Sequence, residues 1–539
     1  MAPIPAVPSP RAGTTRRRRA RPLAAFALAA ALLTGVAACS IGPSSRPELA
    51  TSGPGGELPP PTSAATTGSS VPLGPGGPGR ESAPVRWTTC DPEVPADGAG
   101  AAFAVDCASV QVARDDSGGL DSFFLEIARA RAPGLPDDAP TLVVLRDDPG
   151  RLGRSAVAQE AAALSPDLQA GYAVVTVDLV GTGASSATDC VSETNQAGIV
   201  GLPADPSTGA GAAAVTALSR SLAFDCTDLV GPGLTQANTT FAADDLDTVR
   251  AALGTPTLAL LGRGYGATLA AVYADRYPGR VGSVVLDGPW DPAATPGQRA
   301  ATTGAALERS LDAFAAACPG FPGGCALGDD PRAAVQGLVQ SLDATDGHGW
   351  QLTGGGLLQL LSAELGAPDG WPALADDLAG AQISDPSALT ARLYLQQGGS
   401  DSAELTSDLL LYACNDTAER LTGDTLTAAF TQARAAAPLF GPYLVGRAAL
   451  CSSWPAPEVA LGTVRATGAA PIVVLGAVDD PVSPYVGVQA VTGQLASGTA
   501  VSWKSGRHGS YPASACVTSA VDGYLLTARA PARDTLCPP

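Results

Sequence analysis

Lysine is almost missing from this chain: Lys504 is the only one among 539 residues. Histidine is nearly as scarce, with His348 and His508 alone, and no CxxC pair occurs. The usual nitrogen and sulfur ligand sets of a zinc site are therefore lacking, and no metal or other cofactor is expected. Basic charge is also short. Six arginines fall in the first 38 residues with no acid among them, which leaves 26 basic against 51 acidic residues, or −25, for the remainder. A surface that acidic repels phosphate backbones, and no basic stripe interleaved with aromatics is present, so nucleic acid is excluded as a partner. What is abundant is apolar: 45% of residues are hydrophobic and 15% charged, the balance of a packed globular protein. The length exceeds one ordinary core and predicts one large domain with an insertion, or two lobes.

The N-terminus reads as a targeting segment. Arg16 to Arg19 and Arg21 precede the apolar run Leu23 to Ala38, which is short for a membrane span and closes on Val36-Ala37-Ala38 before Cys39. A basic start, an apolar middle and small residues at the end are the three parts of a signal peptide, so residues 1–38 are expected to be one. The small-small-Cys ending resembles a bacterial lipobox, whose cysteine becomes the acylated first residue of the mature protein; the bland alternative is an ordinary signal with a chance cysteine. The resulting expectation is an exported lipoprotein on the outer face of the bacterial cytoplasmic membrane, touching the membrane through its lipid. Without Cys39 ten cysteines remain, and in an exported chain an even set reads as a disulfide framework. Sequence does not fix connectivity; sequential neighbours give Cys90–Cys107, Cys190–Cys226, Cys318–Cys325, Cys414–Cys451 and Cys516–Cys537.

Residues 39–85, beyond the cysteine, are rich in Pro, Gly, Ser and Thr and read as a flexible spacer. Folding is expected from about Trp87, and short apolar runs then alternate with helical patterns. Strand candidates are Ser122 to Arg131, Thr141 to Leu145, Ala173 to Asp178, Thr257 to Leu261, Ser283 to Leu286, Pro471 to Leu475 and Val501 to Lys504. The later ones are continuously apolar, as buried parallel strands are. Helices are predicted between Asp244 and Leu253 and over Ala267 to Tyr277, a βαβ rhythm that implies a mostly parallel sheet with helices on both faces. Between residues 293 and 465 the rhythm breaks into helices. Leu307, Leu311 and Phe314 share one face, and Val335, Leu338, Val339 and Leu342 follow the helical template behind an Asp330-Pro331 cap. This block reads as a cap inserted into a core made of 86–292 and 466–539, with a ligand cleft beneath it.

Strand Thr257 to Leu261 leads into Gly262-Arg263-Gly264-Tyr265-Gly266-Ala267 and a helix. That is the setting of a G-x-S-x-G nucleophile elbow, with Gly264 at the serine position. Downstream come Asp479-Asp480-Pro481-Val482-Ser483-Pro484 and, after the last strand, Gly506-Arg507-His508-Gly509. Nucleophile position, acid and histidine follow the chain order of α/β-hydrolases. With Asp244 to Arg250, Tyr273 to Pro278, Val285 to Gly288, Cys451 with Trp454 and the terminal cysteine pair, the chain from Trp87 to Cys537 resembles the secreted bacterial tripeptidyl aminopeptidases, relatives of the proline iminopeptidases. The resemblance implies an α/β-hydrolase fold with a helical cap, and an ancestral release of short peptides from a free N-terminus by acyl transfer. It assigns Asp480 as acid and His508 as base, and puts Asp147, Asp148 and Tyr265 at oxyanion-loop positions.

The departures carry as much information. Gly264 replaces the family's serine; Asp147-Asp148-Pro149-Gly150 stands for its G-G-P-G oxyanion loop; Asp178 to Ser185 stands for its D-x-R-G-x-G-x-S, without the arginine. Glycine carries no oxygen, so no acyl-enzyme forms there, while it relieves the strained backbone of such an elbow. Carboxylates at Asp147 and Asp148 are expected to oppose a developing oxyanion. The leading expectation is a non-catalytic pseudo-hydrolase binding a peptide or other small ligand under its cap. Its rivals are a hydrolase with a relocated nucleophile or activated water, and an envelope scaffold contacting partner proteins with a vestigial cleft. Asp147, Asp148 and Asp480 read either as solvated acids or as an anionic pocket for a cation. Ser483, Ser505 and Ser510 lie near the acid or the histidine in sequence but on no elbow. His348 reads as a surface turn in the cap, and Thr182 and Ser185 as turn residues bonded to nearby backbone.

Overall fold

The computed structural model describes residues 82–90, 102–113, 122–149, 153–207, 209–344, 352–383, 385–399, 402–457 and 459–539. The expected signal peptide, Cys39, residues 39–81 of the expected spacer and His348 lie outside the described residues, whereas the last spacer residues join the fold, the Val85 N–H donating to the Ala252 carbonyl. Ten strands form one sheet: β1 (Thr88–Thr89), β2 (Ala104–Ala113), β3 (Ser122–Arg131), β4 (Thr141–Leu145), β5 (Ala173–Val177), β6 (Leu258–Arg263), β7 (Val281–Asp287), β8 (Ile472–Ala477), β9 (Gly498–Trp503) and β10 (Thr535–Cys537). Their spatial order is β1-β2-β3-β5-β4-β6-β7-β8-β9-β10. Pairing is antiparallel from β1 through β3 to β5 and parallel from β5 onward. This is the α/β-hydrolase arrangement that the motifs imply.

The strands are apolar on both sides because both faces are covered. Val143, Leu260, Val284, Leu286, Ile472 and Val474 pack into one core, whereas Leu142, Val144, Leu261, Val285, Val473 and Leu475 pack into the other. Successive side chains point to opposite faces, so an uninterrupted apolar run fills two cores at once. Register aligns the carboxyl ends: Leu145 stands beside Gly262, Arg263 beside Asp287, Asp287 beside Leu475, and Ala477 beside Trp503. Every residue assigned to the site by sequence follows one of these ends.

Strands β5 to β9 each differ from the sequence reading at one end or both, most at β9. β6 runs on to Arg263, its last two residues pairing with Leu286 and Asp287, and β9 starts at Gly498 because it pairs from the start of β8. Strands β1, β2 and β10 escape the sequence reading. In β2 the apolar alternation changes face, Val105 and Cys107 facing one core and Ala108, Val110 and Val112 another; β10 is a three-residue segment defined by its parallel partner.

Among the described residues between β7 and β8 are eight α-helices, from Pro296–Ala317 to Gly441–Ala448. Leu307, Leu311 and Phe314 are fully buried, as their shared face requires, and Asp330 caps the helix Pro331–Asp343 by accepting from the Ala333 N–H. Helices Glu193–Val200 and Gly209–Val230, which follow β5, are fastened to this layer. The N–H of Cys190 donates to the Ser407 hydroxyl, that of Ser453 to the Ser219 hydroxyl, and Thr353 Oγ1 to the Val200 carbonyl. The five disulfides join Cys90 to Cys107, Cys190 to Cys226, Cys318 to Cys325, Cys414 to Cys451 and Cys516 to Cys537. Bonds of this number mark an extracytoplasmic protein. No helix among the described residues is long and apolar enough to cross a membrane.

Candidate functional site

Beyond β6 the chain turns sharply at Gly264, with φ 48° and ψ −112°, and enters the helix Tyr265–Arg276. Only glycine takes that conformation without strain. A Cβ on Gly266 would lie 2.4 Å from the Leu145 carbonyl oxygen, so the helix start and the end of β4 touch backbone to backbone. The loop after β4 thus lies directly over the turn. The Gly266 N–H donates to the Arg146 carbonyl at 2.8 Å and the Tyr265 N–H to the Asp147 carbonyl at 3.1 Å. Beneath, Glu160 bridges Arg146 and Arg263 at 2.5 and 2.6 Å, tying the two loops together.

Asp480 follows β8 and is almost fully buried. Its Oδ1 accepts from the N–H groups of Val482 and Ser483, and its Oδ2 lies 2.9 Å from His508 Nδ1. His508 follows β9. The loop after it is pinned because the buried Asp287 carboxylate at the end of β7 accepts from the N–H groups of Ser510 and Tyr511, while the His508 N–H donates to the Gly366 carbonyl in the helical layer. Burial raises the Asp287 pKa, against those hydrogen bonds.

On the far side of the ring, His508 Nε2 lies 2.6 Å from Asp147 Oδ2. A Cβ added at Gly264 would sit 1.6 Å from Asp147 Oδ1 and 2.8 Å from its Cγ. The carboxylate therefore occupies the space a side chain at residue 264 would need. Ionised carboxylates only accept, so two such hydrogen bonds require N–H on both ring nitrogens, which is an imidazolium. Burial opposes that charge, but Asp147 and Asp480 outweigh it and hold the His508 pKa well above the ordinary histidine value.

The structure thus brings Gly264, Tyr265, Asp147, Asp480 and His508 together. Asp148 lines the adjoining cavity. The Asp147 side chain does not aim at an oxyanion; it reaches the imidazole, a role with no sequence signal because it depends on the approach of two loops. Ser483 gives its N–H to Asp480, the Ser505 hydroxyl accepts from the Arg507 N–H, and Ser510 gives its N–H to Asp287. None of them is the partner of His508 Nε2. Ser185 Oγ donates to the Asp178 carbonyl and accepts from the Glu126 N–H, and Thr182 Oγ1 donates to the Leu179 carbonyl, as expected of turn residues. The Asp244 to Arg250 motif is structural as well. Asp244 holds Arg276 in a two-pronged pair and Asp247 holds Arg250 and Arg280, which locks the helix after Gly264 to its neighbour.

Asp147 and His508 form one end of a cavity of about 910 Å³ between the sheet edge and the helical layer. Sequence reasoning missed its other wall, where Trp290, Arg299 and Asp416 come from separate helices and turns. The Tyr265 hydroxyl is 2.9 Å from Thr239 Oγ1, which in turn donates to Asp416 at 2.7 Å. Burial pushes the Asp416 pKa up to about 6, against the hydrogen bonds from Thr239. Among the described residues no group of three or more His, Cys, Asp or Glu side chains is placed to hold a metal ion.

The family described as TAP-like protein matches residues 437–537. Serine protease Hip1 of Mycobacterium tuberculosis is 26% identical over 483 residues, covering 84% of this chain and 91% of that protein. Carboxylesterase B of the same species is 29% identical over 459 residues, covering 80% and 85%. The tripeptidyl aminopeptidase of Streptomyces lividans is 27% identical over 388 residues, covering 68% and 71%.

Proposed function

We propose that this chain is a non-catalytic member of the TAP-like α/β-hydrolase family that holds a peptide-like ligand beneath its helical layer. The observation that carries this reading is the Asp147 carboxylate, seated in the space of the missing nucleophile side chain and bonded to His508 Nε2. Acyl transfer needs an attacking oxygen, a base with a free lone pair and an open oxyanion site. Here Gly264 supplies no oxygen, and an imidazolium between two carboxylates has no lone pair to accept a proton. The Tyr265 N–H, which the family resemblance assigns to the oxyanion, donates to the Asp147 carbonyl. Three requirements fail at one place. The cavity remains, at a volume suited to a small ligand.

The protein acts outside the cytoplasm, in keeping with its disulfides, and we place it on the outer face of the bacterial cytoplasmic membrane through an acylated Cys39. Mass spectrometry of the mature N-terminus tests that attachment. Catalytic silence is tested with a fluorophosphonate probe and chromogenic tripeptides bearing a free N-terminus. No labelling and no turnover are expected. Labelling of any serine, or turnover that disappears in His508→Ala, would overturn the proposal in favour of a relocated nucleophile.

A further inference from the structure

Arg299 stands in the first turns of the helix Pro296–Ala317 with its guanidinium over the Trp290 ring, 5.2 Å from the ring centroid. Trp290 meets Tyr265 edge to face, so this stacked cation borders the same cavity that ends at Asp147 and His508. The side chain is partly buried, and burial lowers its pKa from the ordinary value while Asp416 and Asp291 act in the other direction. Neither aspartate pairs with it directly. Asp416 accepts from the Thr239 N–H and hydroxyl, and Asp291 from Gln494 and the Ala293 N–H. Arg299 Nε is buried with no hydrogen-bond partner among the described residues. Burying a guanidinium N–H without an acceptor is unfavourable. An arginine pre-oriented by an aromatic face matches a carboxylate, which accepts two of its N–H groups side by side.

The neighbouring wall has a second set of unmatched groups. Gln196 Nε2, Gln396 Oε1, and both Nε2 and Oε1 of Gln397 are buried without partners among the described residues, and all three side chains line the cavity. Donors and acceptors of primary amides are complementary to the C=O and N–H of a peptide backbone. We infer that the cavity takes a short peptide by its free C-terminal carboxylate, which pairs with Arg299, while Gln196 and Gln397 engage the peptide's amides. The inference rests on the ligand-binding reading above and names the chemistry that the site recognises. It also reverses the polarity of the ancestral activity, since a carboxylate and not a free N-terminus is the anchor.

Calorimetric titration of the full chain with tri-alanine, tri-alanine amide and N-acetyl-tri-alanine tests it. Tri-alanine and its N-acetyl form are expected to bind at least tenfold more tightly than the amide. In Arg299→Gln that discrimination vanishes, with urea denaturation showing that the variant is folded; Arg299→Lys restores part of it. Equal binding of acid and amide, or discrimination that persists in Arg299→Gln, refutes the carboxylate anchor and leaves peptide binding standing. Absence of binding by all three peptides removes both readings, and His508-dependent cleavage of the peptide removes the non-catalytic one alone.

Discussion

Restoring serine at residue 264 is the most searching perturbation, because it puts an atom where another already is. The new Cβ would lie 1.6 Å from Asp147 Oδ1, so the carboxylate has to leave and its 2.6 Å contact with His508 Nε2 is broken. The backbone at φ 48° adds strain of about 1–3 kcal/mol for a residue other than glycine. The displaced pair adds about 1 kcal/mol or less, since the Asp147 side chain is 38% exposed and screened by solvent. Gly264→Ser should therefore cost about 2–4 kcal/mol, a large share of a typical total of ~5–15 kcal/mol. Asp147→Gly alone should cost about 1 kcal/mol, the pair and little more. In the double variant the pair is lost once and the clash is gone, so it should be no less stable than Gly264→Ser. Simple addition would make it about 1 kcal/mol worse. Reactivity should follow the same logic. In Gly264→Ser the displaced Asp147 carboxylate stays in the adjoining loop, where its charge opposes a developing oxyanion, whereas the double variant removes that charge. Fluorophosphonate labelling should be at least about tenfold faster in the double variant than in the single, still far below the ~10⁶-fold that a nucleophile contributes in an intact site. Urea denaturation and labelling rates read both quantities. A single variant that labels as fast as the double, or strict additivity in stability, would refute the claim that Asp147 fills the nucleophile's space.

Two further expectations concern stability. The His508 pKa is held above its unfolded value by the two carboxylates, so its stabilising contribution is complete below about pH 6.5 and is lost as pH rises through the folded-state value. The stability gap between the native protein and His508→Gln should accordingly shrink on going from pH 6 to pH 10; a constant or widening gap would mean that the ring is neutral. Asp247→Ala leaves Arg250 and Arg280 without their buried partner, and should cost about 3–5 kcal/mol by urea denaturation. A cost below about 1 kcal/mol would show that the motif does not fasten the helix behind Gly264.

The chain's own order of residues determined the sheet, the turn at Gly264 and the acid and histidine that follow it. These depend on local causes: apolar runs long enough to fill two cores, glycines where backbones touch, and a chain order that the fold maps onto one sheet edge. β2 was not legible because its apolar alternation changes face between Cys107 and Ala108, and β10 because three residues have no pattern without a partner. Only the tertiary structure decided what stands in place of the missing serine. Asp147 belongs to a loop more than a hundred residues before Gly264 and more than three hundred before His508, and register alone brings the three into contact. Its carboxylate reads in sequence as a charge opposing an oxyanion; in space it is the counter-ion of an imidazolium. Arg299 and the buried glutamines carry no local signature either, since an unmet hydrogen bond is a property of surroundings and not of a residue.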